Sequence, residues 1–413
     1  MNGKESSTSS DSLGEPAVVV LPFEALGSTA DSRYLADGIG QELINDLMQF
    51  PGFRVYTLPI DLEKDANPET VKPGSDLGVA YVVRGNVYAD TATIRVAAQM
   101  FNAVTGRVLW TGSYDRPLTP EALIRVQSDL SGEIATILGQ PYGVVNDDLK
   151  VRLAPAVSNM QSYVCVLRAY GYRRSFARAE FDPVLQCLEE AVRRDPDYSD
   201  AWAMLGWLYL DAGRYGFSRG GNAQEEYKKA VEASSQAVTL EPNNPLALKA
   251  LAAVDYYIGR YDESERLTRQ ALKLNPYDPE TLAQLGWRLA ARGKFAEGIP
   301  TLERAIQRSV NPPGWYFHLI AIDLFLKGDY KQMLRTAERS AVDGSDFSQA
   351  LLAIANGELG DVKATQAALE KMSASKPLAR DFAAFLRLHG ATDEIVNALT
   401  EGLQKARRVA SKS

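Results

Sequence analysis

Ser199–Tyr215 reads SDAWAMLGWLYLDAGRY. Trp202, Leu205-Gly206 and Tyr209 recur at helical intervals, and Gly213-Arg-Tyr215 follows as a helix end and the start of a second helix. Ala230, Ala237 and Pro242 complete the unit. A glycine followed two residues later by a bulky residue returns at Gly259-Arg-Tyr261, Gly293-Lys-Phe295, Gly328-Asp-Tyr330 and Gly360-Asp-Val362. The spacings are 46, 34, 35 and 32 residues, which sets a period near 34 with an insertion around 216–224. That period is a helix–turn–helix pair, which cannot bury its apolar face alone and so stacks on its neighbours. Small residues let the two helices approach, the turn glycine tolerates φ > 0, and the prolines end one hairpin and start the next.

The pattern weakens outward. Residues 157–196 read as a degenerate first unit, units from Gly314 and Asp346 are faint, and Leu378–Ser413 reads as a terminal pair of capping helices. Before residue 150 the periodicity changes. Ala17–Leu21, Phe53–Thr57, Val79–Tyr88, Thr91–Phe101 and Arg107–Tyr114 read as strands, the last three as an antiparallel meander. Helices are expected over Asp31–Phe50, Val71–Gly78 and Pro120–Gly139. The fold class is therefore α/β plus all-α: a disordered Ser-rich leader or linker over 1–16, a small mixed α/β domain over 17–145, a helical solenoid over 150–377 and capping helices with a tail over 378–413.

Composition narrows the function. The 413 residues carry a net charge of −7, which argues against a broad nucleic-acid footprint. No apolar run is long enough to span a bilayer, so this chain is expected to insert in no membrane. Cys165 and Cys187 are expected as free buried thiols, because a helical hairpin turning near Phe181 puts them out of register by about 10 Å. Gly38-Ile-Gly40 lacks the third glycine of a dinucleotide loop and sits inside a helical pattern, so it reads as close helix–sheet packing. Asp31, Asp37, Glu42 and Asp46 read as a solvated helix face, and Asp115-Arg116 as an ion-paired strand end. With two histidines, His318 and His389, and no metal-ligand or nucleophile motif, no catalytic residue, cofactor or metal is expected.

Residues 157–377 resemble tetratricopeptide repeat proteins. Residues 17–140 resemble the TolB amino-terminal-like domain, through VVVLPFEALG, RYLADGIGQELINDLMQFPGFRVY, LGVAYVVRGNV and TIRVAAQMFNAVTGRVLWTGSYDR in that order. The pair looks like the C-terminal part of larger bacterial proteins that begin with a class III adenylate cyclase or a winged-helix DNA-binding domain; neither leading domain is expected in this chain.

In a tetratricopeptide superhelix the first helix of each pair lines the concave groove. That places Trp207, Lys249, Tyr256, Tyr257, Trp287, Trp315, His318 and Phe325 on the groove as the candidate partner-binding set. The inserted loop adds Phe217 and Arg219, both expected exposed. Lys249 is too little positive charge for the carboxylate clamp of chaperone-binding relatives. The reading is a non-enzymatic bacterial regulatory or sensor module whose groove takes a protein or peptide partner, self-association included. The alternatives are a small-ligand receptor at the domain junction and the regulatory region of an adenylate cyclase or a membrane-bound transcription regulator. The expected location is cytoplasmic, or periplasmic in a membrane-anchored parent.

Overall fold

The computed structural model describes residues 17–26, 30–50, 54–57, 79–89, 93–117, 123–140, 143–152, 161–217, 222–309, 311–341, 345–372, 378 and 381–411. The leader over 1–16, the helix expected over 71–78 and Arg219 lie outside them. The chain forms two compact units, one of residues 1–134 and 148–165 and the other of 135–147 and 166–413.

The first unit is built on one mixed sheet. Its strands are β1 (Ala17–Val20), β2 (Glu24–Ala25), β3 (Arg54–Thr57), β4 (Val79–Ala89), β5 (Thr93–Asn102) and β6 (Val108–Pro117). The order is β3-β1-β4-β5-β6, with β2 beside β4; β1 is parallel to β3 and β4, and β4-β5-β6 form the antiparallel meander. β1 lies between β3 and β4 and every residue of it is buried, which is why AVVV is a continuous apolar run. β5 alternates buried residues with exposed or half-buried ones along its length.

Helix α1 (Ala30–Leu47) buries Leu35, Ile39, Leu43 and Leu47. It runs through both Gly38 and Gly40, so no phosphate loop exists there. A Cβ on Gly38 would stand 2.1 Å from Gln127 Nε2, and Gln127 belongs to α2 (Leu123–Gly139). The close approach is thus helix to helix rather than helix to sheet. Gly40 has ordinary contacts with Phe23. Asp46 departs from the solvated-face expectation. It is 5% exposed, it accepts a hydrogen bond from Ser131 Oγ at 2.7 Å, and burial raises its pKa. The strand end is ion-paired as expected, Arg95 with Asp115 and Arg116 with Glu133, both at 2.6 Å.

The second unit stacks helical hairpins. After α3 (Val144–Arg152) come α4 (Gln161–Ser175) with α5 (Arg178–Arg194), α6 (Ser199–Tyr215) with α7 (Ala223–Leu240), α8 (Pro245–Tyr257) with α9 (Tyr261–Leu274), and α10 (Pro279–Ala291) with α11 (Phe295–Arg308). A short 3-10 turn (Gly314–Phe317) leads into α12 (His318–Leu326), followed by α13 (Tyr330–Ser340), α14 (Asp346–Leu359), α15 (Val362–Met372), α16 (Phe382–Leu388) and α17 (Asp393–Ala410). Gly259, Gly293, Gly328 and Gly360 have φ between 76° and 86°, as turn glycines require. Gly213 is different. α6 continues through it, Gly216 takes the left-handed turn at φ 67°, and Gly213 makes room for the Tyr227 ring. The insertion lengthens the first helix by a turn, so the motif glycine became a packing glycine.

The cysteines are disulfide-bonded, not free. The hairpin turns at Phe176, between α4 and α5, rather than at Phe181. Cys165 and Cys187 then lie equally far before and after the bend, and the misregister vanishes.

Candidate functional site

The concave face of the hairpins is lined by first helices, as the repeat requires. α6 supplies Trp207 and Leu210, α8 supplies Ala253, Tyr256 and Tyr257, and α10 supplies Gln284, Trp287, Arg288 and Ala291. Trp315, His318 and Ile322 extend the wall into the next unit. The opposite wall comes from the C-terminal segment: Leu378, Phe385, Leu386, His389, Ala391 and Ile395. Between them lies a cavity of about 660 Å³, within the range of small-molecule sites.

Backbone and side-chain bonds seat this segment. Tyr256 Oη donates to His389 O at 3.1 Å, Arg292 Nη1 donates to Gly390 O at 3.1 Å, and Thr392 N donates to Ala291 O at 3.2 Å. Gly390 has φ 75°, and a Cβ there would stand 2.2 Å from Tyr256 Oη. The bend therefore needs glycine twice over, for its conformation and for its closeness to α8. α17 holds the far end. Ile395, Val396, Leu399, Leu403 and Ala406 share a core with Ala350, Leu351 and Ile354 of α14.

The histidines are structural members of this wall. The His389 ring lies 4.1 Å from that of Phe385, 5.5 Å from Tyr257 and 6.0 Å from Tyr215. Its Nδ1–H donates to Phe385 O at 2.8 Å. Burial, reinforced by the nearby Arg214 charge, pulls its pKa down to about 3. Burial does the same to His318. Ser348 Oγ gives its proton to Ser340 O, so His318 Nε2 must donate to Ser348 across 2.9 Å. Both imidazoles are neutral at pH 7.

Among the described residues, four guanidinium groups reach the cavity: Arg173, Arg178, Arg214 and Arg288. Arg173 pairs with Glu280 at 2.6 Å and stacks 3.6 Å over Trp207. Arg214 pairs with Asp211 at 2.6 Å and donates to Tyr257 Oη at 2.6 Å. Arg178 pairs with Asp182 at 2.8 Å. Arg288 bonds neutral groups: Thr268 Oγ1 at 2.8 Å and Gln284 Oε1 at 2.7 Å. Burial lowers its pKa to about 10; the phenols of Tyr257 and Tyr256 act the other way, and the Arg173 and Arg214 charges add to the lowering.

The structure brings Trp207, Tyr256, Tyr257, Trp287, Trp315 and His318 together on the cavity wall. Two of the groove candidates it does not. Lys249 is 3% exposed and bonds Asp278 at 2.8 Å and Glu280 at 2.9 Å. It neutralises a buried carboxylate pair instead of facing a partner. Burial alone would raise Glu280, but Lys249 and Arg173 hold it down to about 2. Phe325 points away, against α17, where Gly402 makes room for its ring. Phe217 is half-buried, packed 5.1 Å from Phe181 and 5.4 Å from Tyr215, and lines the cavity rather than solvent. Sequence reasoning passed over Arg288, Arg214 and His389. Arg288 directly follows Trp287, one step off the periodic groove positions. Arg214 reaches the cavity only because α6 is extended. Nothing local marks His389, which arrives from the chain's far end. Among the described residues, no group of three or more His, Cys, Asp or Glu is placed to hold a metal, and no helix is long and apolar enough to cross a membrane.

The hairpins stack with a period near 34 residues, and residues 187–216 match a tetratricopeptide repeat model. The chain is similar, at 25% identity over 61% of its length, to the Rhizobium meliloti protein named "Putative adenylate cyclase 3", covering 42% of that protein. It is 21% identical over 70% of its length to the transcriptional regulator HilA of Salmonella typhimurium, covering 50% of it. The chain thus spans half or less of these curated relatives. Among solved structures, Pseudomonas aeruginosa pilF aligns over 52% of this chain and 92% of its own, at 18% identity and a TM-score of 0.36.

Proposed function

We propose that this chain is a non-catalytic interaction module of a bacterial regulatory protein, and that its concave aromatic face binds a protein segment. The observation that carries the reading is the seat of residues 385–392. Two aromatic-ring side chains, Phe385 and His389, enter the face while the backbone at 389–392 bonds the ends of α8 and α10. A peptide partner would use the same contacts, so the chain's own segment occupies the face that a partner would take. The same segment from a second copy would account for self-association. The TolB-like resemblance of residues 17–140, with the similarity to a cyclase and to HilA, supports a place C-terminal to a signalling or DNA-binding domain. The joined cysteines favour an oxidising compartment, hence the periplasmic side of a membrane-anchored parent.

A fluorescein-labelled peptide of residues 381–395 tests the groove. It should bind the Gly390→Ala variant, whose own segment is displaced, at least tenfold more tightly than it binds wild type. Adding Trp287→Ala should abolish that binding. A correctly folded Gly390→Ala protein that ignores the peptide refutes the reading.

A further inference from the structure

Arg288 stands apart from the other cations of the cavity. Arg173, Arg178 and Arg214 each pair with a carboxylate, whereas the hydrogen bonds of Arg288 go to the Thr268 and Ser264 hydroxyls and the Gln284 carbonyl. Asp255 acts on this half-buried cation only through space, so a cavity at its side is where an anion that hydrogen-bonds it directly would enter. At Gln284, Oε1 serves Arg288, and the buried Nε2 has no hydrogen-bond partner. The lining carboxylate among the described residues is Asp346, which opens α14 beside Phe347 on the His318 side of the cavity. Much of the rest of the lining is flat rings. The rings of Tyr256 and Trp287 meet edge to face at 6.4 Å, and Phe385 faces them from the C-terminal segment. Phe176, at another edge, holds φ 55° with its ring against Tyr215 and Arg214. Such a conformation in a bulky residue is typical of ligand sites.

We infer that this cavity binds a small organic anion with a flat aromatic body, its carboxylate or phosphate at Arg288 and its ring among Trp287, Tyr256 and Phe385. A volume of about 660 Å³ suits such a molecule. With residues 385–392 seated on the same face, the space left beside them is of small-molecule size. The inference goes beyond the peptide-binding proposal and does not depend on it, since the ligand enters with the C-terminal segment in place. A ligand touching both walls also strengthens that seat, and a seated segment strengthens ligand binding by the same factor.

Isothermal titration with three probes of one shape tests this: 2-naphthoate, 2-naphthyl phosphate and the neutral 2-naphthamide. Wild type should bind at least one anion saturably at one site, and at least tenfold more tightly than the amide. The tighter anion identifies the headgroup. Arg288→Gln should erase the preference for charge while retaining binding of the amide. The wild-type comparison stands alone should that variant misfold. Equal affinity for anions and amide, persistence of the preference in folded Arg288→Gln, or no binding by any probe at millimolar concentration would overturn the inference.

Discussion

Replacing Gly390 by alanine should unseat the C-terminal segment without unfolding the repeats. The added Cβ would stand 2.2 Å from Tyr256 Oη and 2.6 Å from its Cζ, at a residue whose φ is 75°. The left-handed conformation costs a Cβ-bearing residue about 1–2 kcal/mol. Relieving the contact breaks the bond from Tyr256 to His389 O, a further ~1 kcal/mol. A local penalty of about 2–3 kcal/mol raises the open population by about 30- to 150-fold. The bond from Thr392 N to Ala291 O reports on the seat directly. Hydrogen exchange at Ala391 and Thr392 should therefore accelerate by on the order of 100-fold. Exchange within α7, which packs against α6 and α8, should change little. Unchanged exchange at 391–392 would show that the glycine does not hold the seat. Equal acceleration throughout the unit would show that segment and repeats unfold together.

Acid should weaken the repeat unit through its neutral histidines. Their folded pKa values lie near 3 against about 6.5 unfolded, so below pH 6.5 the unfolded chain takes up protons that the folded one refuses. Stability falls from pH 6.5 toward pH 3, by about 2 kcal/mol per histidine at pH 5. His389→Phe should roughly halve the loss between pH 6.5 and 5, read from urea midpoints; an unchanged slope would place its titration elsewhere. Lys249→Met leaves Glu280 with Arg173 but takes from Asp278 the cation that it pairs with in the interior, and should cost about 3–5 kcal/mol by urea denaturation; a loss under about 1 kcal/mol would contradict the buried network. Protein made in an oxidising compartment and unfolded without reductant should show no titratable thiol, and reduction should lower its stability by about 3 kcal/mol. A full complement of thiols would refute the bond between Cys165 and Cys187.

The repeat architecture was legible because its determinants are local. The hairpins α8–α9 and α10–α11 each carry a turn glycine and an N-terminal proline, so the spacing of Gly259, Gly293 and Gly328 announces the stack one unit at a time. The sheet of the first unit was legible for the same reason. AVVV reads as a strand buried on both faces, and the period-2 alternation of Thr93–Asn102 reads as one buried on a single face. The aromatic character of the concave wall also follows from helical period, which put Trp207, Tyr256 and Trp287 on one side.

Pairings across the chain were not legible. Periodicity assigned Lys249 to the groove, but Glu280 and Asp278 of the next hairpin take its charge. A one-turn extension of α6 moved the bend from Gly213 to Gly216 and so carried Arg214 and Phe217 to the cavity. A bend at Phe176 rather than Phe181 decided whether two cysteines meet. His389 enters a wall whose other members lie as far back as residue 173, and no local pattern encodes that return. The sequence by itself determined the elements and the faces they bury, because helix, strand and turn preferences act over a few residues. Tertiary structure alone decided that the groove is closed into a cavity, and that Arg288 stands there with no carboxylate hydrogen-bonded to it, because burial and charge compensation depend on which distant side chains arrive.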